Sequence, residues 1–358
     1  MHFKQLQLPI SVLIALVISV FLSASCHRPG PDNPRPVDTH ADGIYVLNEG
    51  LFQMNNSTLS YYDLSTGTLT DDIFLQTNQR GLGDVGNDLK SYGAKLYAVI
   101  NNSNRVEIMD LGTAKSLRSI SLPNKQPRYI CFHGGKAYIS CFDGDVVRID
   151  TASLEVDATV HSGPNPDGIC ICNGKLYVAN SGGLNYPNYN NTVSVFDLNN
   201  FTLTKTITVE TNPSLLNSYD NRYVYLVSHG DYAGTPSNFQ KIDASTDQVV
   251  KTFNIEVSNF TISDHFAYFY NFDYVNTNPH IVVMDLQKDE IVKENFISDG
   301  TVIQAPYGIS VNPLNGDVYV SDAFDFTVTG EVFCFDQNGK KKFSFESGLN
   351  PNKIVFKN

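Results

Sequence analysis

A strand-like apolar run that ends in aspartate recurs seven times along this chain, and this repeat restricts the fold more than any other feature. The seven aspartates are Asp63, Asp110, Asp150, Asp197, Asp243, Asp285 and Asp336. A tyrosine inside an apolar run precedes each of them, at Tyr45, Tyr97, Tyr138, Tyr177, Tyr225, Tyr268 and Tyr319. A repeat of about 40–50 residues with several short strands is typical of a β-propeller blade. The sequence therefore predicts an all-β fold with seven blades, and no segment has a convincing helical periodicity.

The two ends of the repeat region complement each other. The first repeat starts directly at Gly43 and lacks the opening strand of the later repeats, whereas residues 350–356 resemble the starts of those repeats. Propellers protect their strand edges by completing the first blade with the last strand. We therefore predict one closed seven-bladed propeller over residues 43–358, in which the C-terminal strand completes blade 1. The repeated aspartates are expected to cap turns by accepting backbone N–H groups.

The composition argues against one class of binding partner, nucleic acid. The 358 residues carry 25 Lys and Arg against 37 Asp and Glu, a net charge of −12, and 42% of them are hydrophobic. A large core is therefore possible, and the negative charge argues against nucleic acid as a partner, because phosphate binding needs a positive field. Five cysteines lie in predicted strands and are expected to be small buried thiols: Cys131, Cys141, Cys170, Cys172 and Cys334.

The N-terminus has the pattern of an export signal. Lys4 precedes a 15-residue apolar stretch over residues 8–22, which is shorter than the roughly 20 residues of a membrane span. Small residues then lead into Cys26 and resemble a bacterial lipobox, in which the thiol is lipidated. This resemblance implies a signal peptide over residues 1–25 and a membrane anchor at Cys26, with simple secretion as the alternative. Residues 26–42 are rich in proline and are expected to form an extended tether.

Two stretches carry a resemblance to known propellers. Lys-Leu-Tyr-Val-Ala-Asn at residues 175–180, with residues 191–197, resembles the YVTN repeat of YncE-type propellers. Residues 45–50 with 57–63 are similar to the surface lipoproteins of Bacteroidetes that include the cobalamin-capturing BtuG proteins. The resemblance implies a non-enzymatic, surface-exposed lipoprotein of the cell outer membrane. Such a protein binds cobalamin (vitamin B12) or a related corrinoid and passes it to a TonB-dependent transporter. A glycan- or protein-binding propeller, or a lactonase-like hydrolase, is the alternative, because these motifs report the fold more directly than the ligand.

The candidate site lies on one face of the predicted ring. In a four-stranded blade, the loops between the second and third strands and the connections between blades emerge on the same face. Several of these segments are long and combine aromatic residues with Asn and Asp, which suits a large, amide-rich, nearly neutral ligand or a sugar. The candidate ligand-binding residues are Phe52, Arg128, Tyr129, Asp167, Tyr186, Tyr189, His229, Tyr232, Tyr274, Tyr307, Phe324 and Phe326. For each loop aromatic, packing on a neighbouring blade is the competing interpretation.

Signals for catalysis are weak. The G-x-G-x-x-G pattern at residues 81–86 lies between two predicted strands rather than before a helix, which indicates a connector. The H-E-x-x-H, G-x-S-x-G and P-loop patterns are absent from the sequence, and its histidines are scattered over different repeats. We therefore expect no enzyme activity, no cofactor and no metal. If the hydrolase interpretation holds, Asp167 and His229 are the nearest catalytic candidates.

Overall fold

The computed structural model describes residues 41–272 and 279–357, which contain seven four-stranded sheets with antiparallel neighbours. The first strands along the chain are β1 (Gly43–Asn48), β2 (Thr58–Asp63), β3 (Thr68–Thr70), β4 (Gly86–Tyr92), β5 (Lys95–Ile100), β6 (Arg105–Asp110), β7 (Ser116–Ser121), β8 (Pro127–His133), β9 (Lys136–Cys141), β10 (Asp145–Asp150), β11 (Glu155–His161), β12 (Pro166–Cys172), β13 (Lys175–Asn180) and β14 (Thr192–Asp197). They are followed by β15 (Thr202–Thr208), β16 (Pro213–Asn217), β17 (Tyr223–Ser228), β18 (Asn238–Asp243), β19 (Gln248–Phe253), β20 (Asn259–Ser263), β21 (Phe266–Tyr270), β22 (Ile281–Asp285), β23 (Glu290–Lys293), β24 (Pro306–Val311), β25 (Val318–Asp322), β26 (Thr329–Phe335), β27 (Lys341–Leu349) and β28 (Pro351–Lys357).

Each sheet is one blade of a propeller. Blade 1 has the strand order β28-β1-β2-β3. Blades 2 to 7 each consist of four consecutive strands: β4–β7 form blade 2, β8–β11 form blade 3, and so on to β24–β27 in blade 7. We call β28, β4, β8, β12, β16, β20 and β24 the inner strands, because these strands line the central cavities. The arrangement confirms the prediction of a seven-bladed all-β propeller.

Some of the repeated tyrosines, among them Tyr45, Tyr177 and Tyr225, hydrogen-bond to the neighbouring blade. The hydroxyl of Tyr45 in blade 1 donates to the carbonyl of Leu111 in blade 2 at 2.8 Å, and the hydroxyl of Tyr177 in blade 4 donates to Asp247 in blade 5. Both tyrosine side chains are fully buried. Their rings therefore fill the space between sheets, while the hydroxyl satisfies a polar group that would otherwise be desolvated there.

The repeated aspartate has the capping role expected from the sequence. Asp150 Oδ1 accepts from the backbone N–H groups of Ala152 and Ser153 at 2.9 and 2.8 Å. The carboxylates of Asp63, Asp110, Asp197, Asp243, Asp285 and Asp336 accept backbone N–H groups of their own turns in the same way. Each aspartate thus holds the hairpin that leads from the third strand of its blade to the fourth.

One element departs from the sequence pattern. A six-residue helix, α1 (Ile73–Asn78), follows blade 1, where Asp72 caps it by accepting from the N–H of Leu75 at 3.0 Å. Phe74 is buried under the helix. So short a helix shows too few turns to produce a recognisable apolar period. Within the described ranges, no helix has the length and apolar character needed to cross a membrane.

The C-terminal strand closes the ring in the predicted way. β28 pairs antiparallel with β1, with Val46 opposite Ile354. Next to this pair, Ser347 Oγ donates to Asn48 Oδ1 at 2.8 Å, which bonds blade 7 to blade 1. We call the face that carries the second-to-third strand loops and the blade connections the mouth face. The opposite face, formed by the hairpins within blades, is the turn face.

Candidate ligand-binding site

A cavity of about 540 Å³ opens on the mouth face, and each of the seven blades contributes to its wall. Small-molecule sites commonly enclose about 300–1,000 Å³, so its size is that of a binding pocket. Eight of the candidate residues line it: Arg128, Tyr129, Asp167, Tyr189, His229, Tyr232, Tyr307 and Phe326. The structure thus brings together residues that lie on four different blades and up to 198 positions apart in the sequence.

Four candidates lie elsewhere. Phe52 is 65% exposed and outside the cavity, in a loop whose Gln53 N–H bonds to Asp84 in blade 2. Phe324 is half-buried and also outside it. Tyr186 is 69% exposed and outside the cavity, and its ring centre lies 6.0 Å from that of Tyr189. These predictions rested on loop composition, which does not give the direction of a side chain. Tyr274 lies outside the described residues.

The base of the cavity is a ring with one side chain from each blade, at the first or second residue of each inner strand. This inner ring consists of Asn87, Arg128, Asp167, Ser214, Asn259, Tyr307 and Asn352. The spacing is a direct product of the repeat, since in five of the seven positions the ring residue follows a proline that begins the strand. The sequence prediction included three members and missed the others.

One arc of the inner ring is built around an ion pair. Arg128 Nε donates to Asp167 Oδ1 at 2.9 Å, and Ser214 Oγ donates to Asp167 Oδ2 at 3.0 Å. On the other side, Asn87 Nδ2 donates to the carbonyl of Arg128 at 2.6 Å, and the guanidinium lies 4.4 Å from the ring centre of Phe142. Burial alone would lower the pKa of Arg128, but the Asp167 carboxylate outweighs it and raises that pKa. The guanidinium is therefore fixed and already neutralised by its neighbour.

The opposite arc is centred on a carboxylate. The hydroxyl of Tyr307 donates to Glu49 Oε2 at 2.6 Å, and Asn352 Nδ2 donates to the same oxygen at 3.1 Å. Asn259 Nδ2 donates to the carbonyl of Tyr307 at 3.1 Å. Burial and then the nearby Glu49 charge raise the pKa of Tyr307, so its hydroxyl stays a donor at neutral pH. Glu49 was not a candidate from the sequence, because it stands in the loop after the second strand of blade 1 with no repeated counterpart.

Aromatic rings form two sides of the cavity. On blades 4 and 5, the ring of Tyr189 contacts that of Tyr232 edge to face, with 5.9 Å between the ring centres. Tyr232 in turn stacks with His229, with 6.3 Å between the ring centres. We call these three the blade 4–5 cluster. On blades 6 and 7, Phe326 contacts Phe272 at 6.0 Å and Tyr307 at 5.8 Å, and these form the blade 6–7 cluster. Burial lowers the pKa of His229, and Asp167 only partly opposes this, so the imidazole is neutral at pH 7.

A second cavity of about 630 Å³ lies between the inner strands on the side of the turn face. The two cavities share the side chains of Tyr129, Asn352 and Lys353 in their walls, so these residues stand where the cavities meet. Asn352 and Lys353 are the second and third residues of the closing strand β28 and were missed by the sequence analysis. Applying the repeat position of Arg128 and Tyr129 to residues 350–356 would have found them. In the described part of the chain, no group of three His, Cys, Asp or Glu side chains is placed to hold a metal ion.

Comparison with known proteins adds a family and a fold. Residues 42–356 match the family described as Domain of unknown function (DUF5074). A search of curated proteins found no match. Among solved structures, a quinonprotein alcohol dehydrogenase-like protein from Bacteroides thetaiotaomicron is similar at 17% identity and a TM-score of 0.65, over 89% of this chain and 79% of that one. The hydrazine synthase of Kuenenia stuttgartiensis is similar at 16% identity and a TM-score of 0.57, over 69% and 74% of the two chains. At these identities the likeness concerns the fold alone.

Proposed function

The chain belongs to the DUF5074 family, and we propose from its site that it is a non-enzymatic binding protein that captures a large, nearly neutral ligand over the mouth of the propeller. The observation that carries this proposal is the pairing of polar groups inside the cavity. Arg128 is bonded to Asp167, and Glu49 is bonded to Tyr307 and Asn352. These carboxylates are held as acceptors within the wall, and the two aromatic clusters present ring surface to a ligand.

A corrinoid such as cobalamin is the first ligand to test. Its broad ring suits the faces of the blade 4–5 and blade 6–7 clusters, and its peripheral amides suit the polar inner ring between them. The resemblance to corrinoid-capturing surface lipoproteins supports the same choice. A glycan is the second candidate class, because sugars also bind aromatic faces beside amide and hydroxyl groups. Under this proposal the protein transfers its ligand to a TonB-dependent transporter of the outer membrane.

Calorimetry tests the proposal directly. Residues 43–358 are titrated with cobalamin, with cobinamide and with a panel of glycans, and saturable binding by one of them is expected. The hydrolase alternative makes a different prediction. If Asp167→Asn or His229→Gln abolishes a turnover while ligand affinity is unchanged, the protein is an enzyme and the capture proposal fails.

The cellular location is proposed from the N-terminal sequence. Lipidation at Cys26 would anchor the protein in the outer membrane, since the apolar stretch before it is too short to span a bilayer. Cys26→Ser is expected to abolish palmitate labelling and to release the protein from the membrane fraction. A Cys26→Ser protein that stays membrane-bound after carbonate washing would contradict the anchor.

A further inference from the structure

The side-chain ammonium of Lys353 forms no ion pair with a carboxylate among the described residues. Its ammonium lies 5.1 Å from the ring centre of Tyr129, at the level where the two cavities meet. Within residues 41–272 and 279–357, the ammonium has no hydrogen-bond acceptor and no ion-pair partner. An ammonium carries three donors, and in a partly desolvated wall these donors are costly to leave unused.

The neighbouring charges are already engaged. Arg128 is bonded to Asp167 at 2.9 Å, and Lys90 Nζ lies 4.0 Å from Asp88 Oδ2. The oxygens of Asp88 accept from the backbone N–H groups of Leu89 and Ile130, both at 3.0 Å. Glu49 accepts from Tyr307 and Asn352. The charged side chains around Lys353 are therefore paired with one another, and its ammonium has no acceptor among the described residues.

The electrostatic balance around Lys353 favours an incoming anion. Burial lowers the pKa of its ammonium, and the nearby cations Lys90 and Arg128 act in the same direction. Asp88 and Glu49 oppose this shift but do not reverse it. An oxyanion in contact with the ammonium would offset the lost hydration with charge-assisted hydrogen bonds.

We propose that Lys353 anchors one oxyanion group, a phosphate or a carboxylate, carried by the ligand that the mouth captures. This inference rests on the proposed function and adds a chemical class to it, namely an otherwise neutral ligand with one anionic group. The aromatic clusters hold the body of the ligand at the rim, and its anionic group reaches down to Lys353. Tyr129 supports the ammonium from the other side with the face of its ring.

Titration of residues 43–358 with orthophosphate, and separately with acetate, tests the anchor. The reporter is the ¹³Cε resonance of Lys353, assigned from its disappearance in Lys353→Gln. We expect a saturable shift and a higher pKa for Lys353 in the presence of the better anion. Lys353→Arg should retain binding, and the matched control Lys115→Gln, at an exposed lysine of the turn face, should bind as the wild type does. The difference between the two anions separates a phosphate-bearing from a carboxylate-bearing ligand.

Two outcomes of the anion titration would overturn the anchor. One is a Lys353 resonance that neither anion perturbs, and the other is equal anion binding by wild type and Lys353→Gln. The capture function is judged separately with the large ligand. Lys353→Gln should weaken that ligand about tenfold or more, as expected for a lost hydrogen bond to a charged group. Equal affinity would remove the anchor and leave capture intact, whereas anion binding without any large ligand would remove capture.

Discussion

Arg128 and Asp167 form an ion pair across the boundary between blades 3 and 4, with 2.9 Å between Nε and Oδ1. Their side chains are 21% and 8% exposed, so the pair is more buried than the surface ion pairs of the outer strands. It fixes the beginnings of two inner strands, β8 and β12, relative to each other. The base of the cavity is therefore organised before a ligand arrives, which reduces the entropy cost of binding.

Breaking this pair is expected to destabilise the fold. Asp167→Asn should lower the free energy of unfolding by about 1–3 kcal/mol, because Arg128 and Ser214 lose a charged acceptor in a half-buried site. Urea unfolding measures the change. The matched control is Glu155→Gln, whose carboxylate lies 3.9 Å from Arg118 with both side chains more than half exposed. It should change stability by less than about 1 kcal/mol. Equal losses in the two variants would contradict the role of the ion pair.

The aromatic clusters should contribute affinity rather than stability. Tyr232→Ala is expected to weaken the captured ligand about thirtyfold, the equivalent of about 2 kcal/mol, while the melting temperature changes little. Phe52→Ala is a suitable control, because Phe52 is exposed to 65% and Tyr232 to 69%, yet only Tyr232 lines the cavity. Calorimetry of both variants decides the matter. If Phe52→Ala and Tyr232→Ala weaken binding equally, the site extends beyond the cavity on the mouth face.

Ring closure should depend on the last strand. A chain that ends at Asn350 lacks β28 and exposes the edge of β1 as well as the inner side of blade 7, so a lower melting temperature or aggregation is expected. A chain that ends at Lys357 retains the whole of β28 and serves as the control. Adding the peptide of residues 351–358 in trans should restore part of the lost stability. An unchanged melting temperature on ending at Asn350 would show that the ring closes by other contacts.

The turn aspartates predict a loss of stability in acid. The N–H of Lys340 holds the pKa of Asp336 below its ordinary value, and the hydroxyl of Ser65 does the same for Asp63. A carboxyl group whose pKa is lower in the folded state contributes stability above its unfolded pKa of about 4, and this contribution is lost as the pH falls through the folded pKa. The melting temperature should therefore fall steadily below about pH 4. Asp336→Asn should make that fall shallower, and an identical acid profile would refute the assignment.

The sequence predicted the architecture because the same local solution is repeated seven times. Tyr45, Tyr177 and Tyr225 hydrogen-bond to the next blade, and Asp63 and its counterparts cap hairpins, so the copies support one another's interpretation. The site was harder to predict because it uses positions where the repeats differ. Arg128, Asp167 and Tyr307 share a position in the inner strand but have different chemistry. Lys353 shares the neighbouring position with Tyr129, yet the sequence pattern marks its strand only as the one that closes the ring.

The pairing of β28 with β1 also fixes where the protein can be held. The N–H of Asp42 donates to the carbonyl of Lys357 at 2.8 Å, and both groups lie at the end of blade 1 farthest from the cavity that contains Glu49 and Tyr307. Both ends of the propeller thus leave through the turn face. A sensor surface, a fusion partner or a linker that joins the two ends into a circular permutant can be attached there. None of these attachments would place material over the mouth, so access for a diffusing ligand is preserved.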